Sequence, residues 1–105
     1  MTLLEARKIF PKEFTIACNK IEVVINEEGS DFGEFNTIRN RITINLAIRD
    51  DDGTLVHLTD AQVKTTYFHE LTHCFNFFFN TELDEAMAQS FAGFTCEYLK
   101  TKIYY

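Results

Sequence analysis

The sequence has few of the residues that are typical of disordered chains. It contains one proline and four glycines in 105 residues, and 46% of its residues are apolar. This balance is typical of a folded globular protein and excludes a disordered tail. Because the chain has no internal repeat, low-complexity run or linker, we expect residues 1–105 to form a single domain.

Cysteine is also scarce. The three cysteines, Cys18, Cys74 and Cys96, are an odd number and include no CxxC pair. This pattern argues against a disulfide framework and against a cysteine-rich zinc knuckle. We therefore expect three free and buried thiols.

Positive charge is the minority charge. Ten Lys and Arg residues stand against sixteen Asp and Glu residues, the net charge is −6, and the basic residues are scattered. Because such a chain repels a phosphate backbone, we do not expect a nucleic acid as partner. No apolar run reaches the length of a membrane span, and residues 1–10 lack the apolar core of a signal peptide. We therefore expect no membrane partner and a cytoplasmic location.

The first half of the sequence carries strand signals. Residues 20–25 are dense in β-branched side chains, and residues 40–46 alternate apolar and polar side chains with the period of a strand. Residues 33–35 and 14–17 are shorter candidates. The first half is therefore predicted to form a small antiparallel or mixed sheet.

The second half carries helix signals. Thr59 and Gln62 have the spacing of a capping box, which predicts a helix over residues 60–79. A second helix is predicted from residue 83 or 84 to about residue 102, with acidic residues at its start and lysines at its end. Strands followed by helices predict an α+β fold, with the sheet packed against the first helix and a second, C-terminal helix.

The predicted helix over residues 60–79 has an apolar side and a polar side at about 100° per residue. We expect the apolar side to pack in the core and the polar side to face a cleft. The apolar side consists of Ala61, Phe68, Leu71, Phe75, Phe78 and Phe79. The polar side consists of Gln62, Thr66, His69, Glu70 and His73.

A motif that indicates metal chemistry lies on the polar side. Residues 69–73 read His-Glu-Leu-Thr-His, an HExxH motif, and the i, i+4 spacing brings both imidazoles to one face where they can bind a single zinc ion. Glu70 is badly placed to be a third ligand. It is well placed to accept a proton from zinc-bound water.

A catalytic zinc ion needs a third protein ligand and one open position for water. The candidates for that ligand are Glu82, Asp84 and Glu85 at the head of the second helix. Glu85 is favoured because Ala88 and Ala92 lie on its face of the helix. Their small side chains would let the two helices approach closely.

The HExxH motif, followed by Glu85-Ala-Met-Ala-Gln-Ser-Phe-Ala92, resembles the ImmA/IrrE-type metallopeptidases, which are common in phages and integrative elements. The resemblance covers the two predicted helices and, more loosely, residues 33–46. It implies a minimal zincin core with zinc bound by His69, His73 and Glu85, and with Glu70 as general base.

These observations predict a zinc metallopeptidase that hydrolyses a peptide bond with zinc-activated water, and that takes a protein or peptide as substrate. The substrate is expected to pair with an edge strand of the sheet. Two alternatives stay open. One is a zinc-containing binding or regulatory module of a phage or mobile element, which would need zinc but not Glu70. The other is a protein without metal, in which the histidines are polar surface.

Overall fold

A computed structural model describes residues 1–79 and 84–101. Three helices and six strands follow one another along these residues: α1 (Leu3–Ile9), β1 (Glu13–Ile16), β2 (Asn19–Asn26), β3 (Gly33–Asn36), β4 (Arg41–Asn45), β5 (Ala47–Arg49), β6 (Leu55–His57), α2 (Asp60–Phe79) and α3 (Glu85–Thr101). The predicted α+β class is confirmed, with a mixed sheet and the predicted pair of helices.

The main sheet has four strands in the order β1-β2-β4-β3. Strands β2 and β4 are parallel in the middle, and β1 and β3 pair antiparallel to them on the outside. Strands β5 and β6 form a separate antiparallel pair. Among the described strands, β3 is therefore an edge of the main sheet, and one side of its backbone is free to pair.

The core lies between the sheet and the helices. Because successive side chains of a strand point to opposite faces, β2 and β4 each turn alternate residues to the same side. The buried core includes Ile21, Val23, Ile42 and Ile44 from the sheet, Val63, Tyr67 and Cys74 from α2, and Ala6 and Phe10 near α1. Each fully buried aliphatic side chain contributes about 1.5–3 kcal/mol to stability, so this face of the sheet fixes α2 in place.

Most of the predicted elements are confirmed. All four predicted strands are present, α2 has the predicted bounds, and α3 begins at Glu85, within two residues of the prediction. Helix α1 and the β5–β6 pair were not predicted. The predicted end of the second helix at Lys102 lies outside the described residues. No described helix combines the length and the apolar character that crossing a membrane requires.

The predicted division of α2 into two sides is wrong in part. Ala61, Phe75 and Phe79 are exposed, whereas Thr66 and Glu70 are buried. The physical reason is that α2 contacts β3 and β4 of the sheet and also contacts α3. Burial along α2 therefore follows two contact surfaces rather than a single apolar stripe.

Gly33 explains how the polar side of α2 becomes covered. A side-chain carbon at Gly33 would lie 2.6 Å from the carbonyl oxygen of Thr43 and 2.8 Å from Cγ2 of Thr66. Because Gly33 has no side chain, the edge strand β3 lies directly against this part of α2. The strand edge and the helix face that carries Glu70 are consequently neighbours.

The three cysteines are free, as predicted, but they differ in burial. Cys74 is fully buried in α2, Cys96 is half-buried in α3, and Cys18 is exposed. Cys18 lies in the tight turn between β1 and β2, where its φ angle is 63°. The prediction that all three thiols are buried is therefore wrong for Cys18, because a turn residue has no second layer to cover it.

Candidate metal centre

The two histidines of the HExxH motif lie one turn apart in the second half of α2. The start of this helix is fixed by the predicted capping box: the Thr59 N–H donates to Gln62 Oε1 at 2.8 Å, and the Gln62 N–H donates to Thr59 Oγ1 at 3.1 Å. The Nε2 atoms of His69 and His73 are 2.9 Å apart. The helix thus presents both ring nitrogens at one point, as the i, i+4 spacing requires.

Glu85 approaches the same point from α3. One carboxylate oxygen lies 2.9 Å from Nε2 of His69, and the other lies 3.0 Å from Nε2 of His73. Ala88 and Ala92, on the same side of α3 as Glu85, are fully buried. Their burial agrees with the expectation that small residues let the two helices come close.

Of the other two candidates for the third ligand, the structure describes only Asp84. Asp84 Oδ1 accepts a hydrogen bond of 2.8 Å from the N–H of Met87, and the Asp84 carbonyl accepts one of 2.9 Å from Ala88. Asp84 therefore acts as the N-cap of α3. Glu82 lies outside the described residues.

The arrangement of the three side chains fits a small cation. A tetrahedral zinc ion with bonds of about 2.0–2.1 Å separates its ligand atoms by about 3.3–3.4 Å, so the side chains of His69, His73 and Glu85 would need to move by only a few tenths of an ångström. Each imidazole nitrogen faces both the other nitrogen and a carboxylate oxygen. A cation satisfies all three of these contacts together, whereas protons satisfy only some of them.

One feature of the cluster lacks the usual support. A histidine that binds a metal through Nε2 normally donates its Nδ1–H to a carboxylate, a carbonyl or water. Nδ1 of His69 is buried and has no hydrogen-bond partner in the described part of the chain. The orientation of this ring is therefore held by packing within α2 and by the contacts of its Nε2 atom.

Glu70 lies beside the cluster on α2 and is only 7% exposed. Burial raises the pKa of its carboxyl to about 7, the charge of His69 opposes that rise, and the carboxylates of Glu85, Asp31 and Glu34 add to it. A carboxyl group with a pKa near neutrality can both take up and return a proton under ordinary conditions. Its position and its pKa both suit a general base.

An open cavity of about 550 Å³ adjoins the cluster. It lies between the start of β3, the polar side of α2 and one residue of α3. Residues that line it include Asp31, Gln62, Thr65, His69, Glu70 and Gln89. A ligand in this cavity would therefore contact both a predicted metal ligand and the predicted base.

Several residues around this site could not be singled out from sequence patterns. Asp31 belongs to a turn-like segment, and Gln89 is an exposed helix residue. Asn45 is buried at the end of β4, where its Nδ2 atom donates to the carbonyl oxygen of Asp31 at 2.7 Å. Asn45 occupies a polar position in the alternation of residues 40–46, so nothing in the sequence pattern distinguishes it from a solvent-facing residue.

The predicted ligands and the predicted base thus meet on one side of α2, next to a cavity. In residues 1–79 and 84–101, no other set of three His, Cys, Asp or Glu side chains forms a comparable cluster. The chain matches no protein-family model, no curated protein and no solved structure.

Proposed function

We propose that the chain is a zinc-dependent metallopeptidase in which His69, His73 and Glu85 hold the metal and Glu70 is the general base. The observation that carries this proposal is the convergence of three side chains, with contacts of 2.9–3.0 Å between the two ring nitrogens and from each nitrogen to one carboxylate oxygen. The HExxH motif and the following Glu85 segment support a relation to the ImmA/IrrE-type metallopeptidases.

When bound, zinc would supply a Lewis acid that polarises the scissile carbonyl and acidifies water. Glu70 accepts the proton of the attacking water on its carboxylate and then returns it to the leaving amine. Burial favours this role, because a desolvated carboxylate holds a proton more readily than an exposed one.

The substrate is proposed to be an extended segment of a protein or peptide. Strand β3 offers an edge for main-chain pairing, and Gly33 holds that edge against α2. A peptide paired with β3 would run past the cavity and bring its backbone close to Glu70. Alternate side chains of such a peptide point toward the cavity.

The net charge and the free cysteines support two further parts of the proposal, the class of substrate and the location. The net charge of −6 disfavours a nucleic acid as the substrate. A cytoplasmic location is proposed as well, because its reducing environment preserves free thiols such as that of Cys18.

Glu70→Gln is the variant that tests the proposal. Zinc-loaded wild type and variant are incubated with a mixture of unrelated proteins and peptides, and new amino termini are measured. The variant should keep its fold and its zinc while its cleavage rate falls at least about 100-fold, because an amide cannot accept the proton. Glu27→Gln, at an exposed position, is the matched control and should cleave at the wild-type rate.

Equal cleavage by wild type and Glu70→Gln would show that Glu70 is not the base. If neither protein cleaves any substrate and both bind the same partner with equal affinity, the chain is a zinc-containing binding module. Cleavage and binding are measured on the same preparation of zinc-loaded protein, so the two outcomes can be told apart.

A further inference from the structure

The cavity beside Glu70 has a marked excess of negative charge. The carboxylates of Asp31 and Glu70 line it, and no lysine or arginine among the described residues does so. The carboxylate of Glu34 lies close enough for its charge to act on Glu70, whereas the charge of Glu85 would be offset by the zinc ion that it is proposed to hold. A cationic group that enters the cavity therefore meets an attractive potential from several sides.

Glu70 contributes more than charge. Its side chain is almost fully buried, yet it faces the open cavity and takes no hydrogen bond from any residue that the structure describes. A carboxylate that is largely desolvated and has no hydrogen-bond partner in the described part of the chain gains from a ligand that supplies a donor. The cavity therefore favours a ligand that brings hydrogen-bond donors.

Asp31 is held in place at the mouth of the cavity. The buried Asn45 donates from Nδ2 to the Asp31 carbonyl at 2.7 Å, and the same atom lies 3.4 Å from Asp31 Oδ1. Gly29 packs so closely on Asn45 that an added side-chain carbon would lie 2.3 Å from its Cγ. The loop that carries Asp31 is thus fixed to β4, which lowers the entropic cost of binding at this carboxylate.

The size of the cavity also fits an amino-acid side chain. A volume of about 550 Å³ lies within the range of about 300–1,000 Å³ that is typical of ligand pockets. Polar side chains of Gln62, Thr65 and Gln89 line it together with the two carboxylates, and the apolar side chains of Phe32 and Ala61 complete the lining, where the aliphatic part of a long basic side chain would pack. A long side chain with several N–H donors would match this combination of acceptors.

We propose that this cavity binds a basic side chain of the substrate, arginine or lysine, beside the scissile bond, and that Asp31 is the specificity-determining residue. The location of this side chain beside a scissile bond rests on the proposed peptidase function. The binding of a basic side chain can be measured without cleavage. An ionised pair with Asp31 discriminates against a neutral side chain of the same shape.

The experiment compares peptides of identical sequence in which one arginine is kept or replaced by citrulline, which has nearly the same shape without the charge. Affinity is measured with the metal-free protein, so that Glu70 stays in place and turnover does not interfere, and cleavage is measured with the zinc-loaded protein. Each measurement is repeated with Asp31→Asn, and with Asp51→Asn as a control that removes the same charge from an exposed turn away from the cavity.

We expect the arginine peptide to bind at least about tenfold more tightly than the citrulline peptide, with a preference that falls at high salt. Asp31→Asn should abolish most of this preference, and Asp51→Asn should preserve it. Equal affinity for the two peptides, or no binding of either, would overturn the proposal, and a preference unchanged in Asp31→Asn would overturn the role of Asp31. A clear preference without any cleavage would refute the peptidase function while supporting the basic-side-chain site.

Discussion

The Nε2 atoms of His69 and His73 lie 2.9 Å apart, and each of them contacts a different oxygen of Glu85. Purified protein should therefore bind about one zinc ion per chain, and His69→Ala or His73→Ala should abolish tight binding. Zinc content after dialysis against metal-free buffer measures this. At a free zinc concentration 100 times the Kd, binding should add about 2.7 kcal/mol to the free energy of unfolding of the wild type.

The control for this prediction is His57→Ala, because His57 is an exposed histidine on β6. It should bind zinc as the wild type does. Full zinc occupancy in either His69→Ala or His73→Ala would refute the site.

Glu85 and Asp84 are adjacent acids with different contacts, so substitutions at the two positions should have different effects on the zinc affinity. Glu85→Ala removes a carboxylate that contacts both histidines, so the zinc affinity should fall more than about 100-fold. Asp84→Asn keeps a side-chain acceptor for the N–H of Met87 and should change the zinc affinity less than about twofold. Competition with a chelator of known affinity gives both values. A greater loss of affinity in Asp84→Asn than in Glu85→Ala would reverse the assignment.

Gly33→Ala should destabilise the fold by about 1–3 kcal/mol, because the added methyl group would collide with Thr43 and Thr66. Gly93→Ala in α3 is the matched control. Among the described residues outside the local helix backbone, a methyl group there meets no atom within 4 Å, and alanine in a helix is favoured over glycine by up to about 1 kcal/mol. Denaturation with urea should show opposite changes for the two variants. Equal stability of Gly33→Ala and wild type would show that β3 and α2 pack less tightly than the distances at Gly33 indicate.

Cys74 should make stability depend on alkaline pH. Burial raises the pKa of its thiol from 9.0 to about 11, so the folded state keeps a proton that the unfolded state loses. Stability should therefore be unaffected by this group below pH 9 and should decline as the pH rises from 9 toward 11. Cys74→Ala removes this titration, so its unfolding free energy should fall less over the same interval. Parallel pH profiles for the two proteins would contradict the prediction.

The sequence was sufficient for elements whose signals are local. The alternation of residues 40–46, the β-branched run of residues 20–25 and the Thr59–Gln62 capping box predicted β4, β2 and the start of α2. The spacing of His69 and His73 predicted their juxtaposition, because helix geometry alone determines it. These features depend on residues that are neighbours in the sequence.

Most features that depend on contacts between distant segments could not be predicted. The approach of Glu85 to the two histidines is the exception, because the small residues Ala88 and Ala92 on its face of the helix and the family resemblance both pointed to it. The burial of Thr66 and Glu70 depends on Gly33 in another element, and the position of Asp31 depends on Asn45. The cavity is likewise formed by residues from three separate segments. Helix α1 is different, because the reciprocal bonds between Thr2 and Glu5 form a local capping box that sequence inspection could have found.

The pairing of β2 with β4 divides the main sheet into two hairpin-like halves, β1–β2 and β3–β4, which meet along one parallel seam. Each half closes a short loop, whereas the seam joins Val23 to Ile42 and Ile25 to Ile44 across a longer stretch of chain. Loop closure therefore costs more entropy at the seam than in either half. The halves can form early in folding, but the side of the sheet that receives α2 is complete only when the seam closes. The order of assembly thus places α2 among the last elements to gain its support.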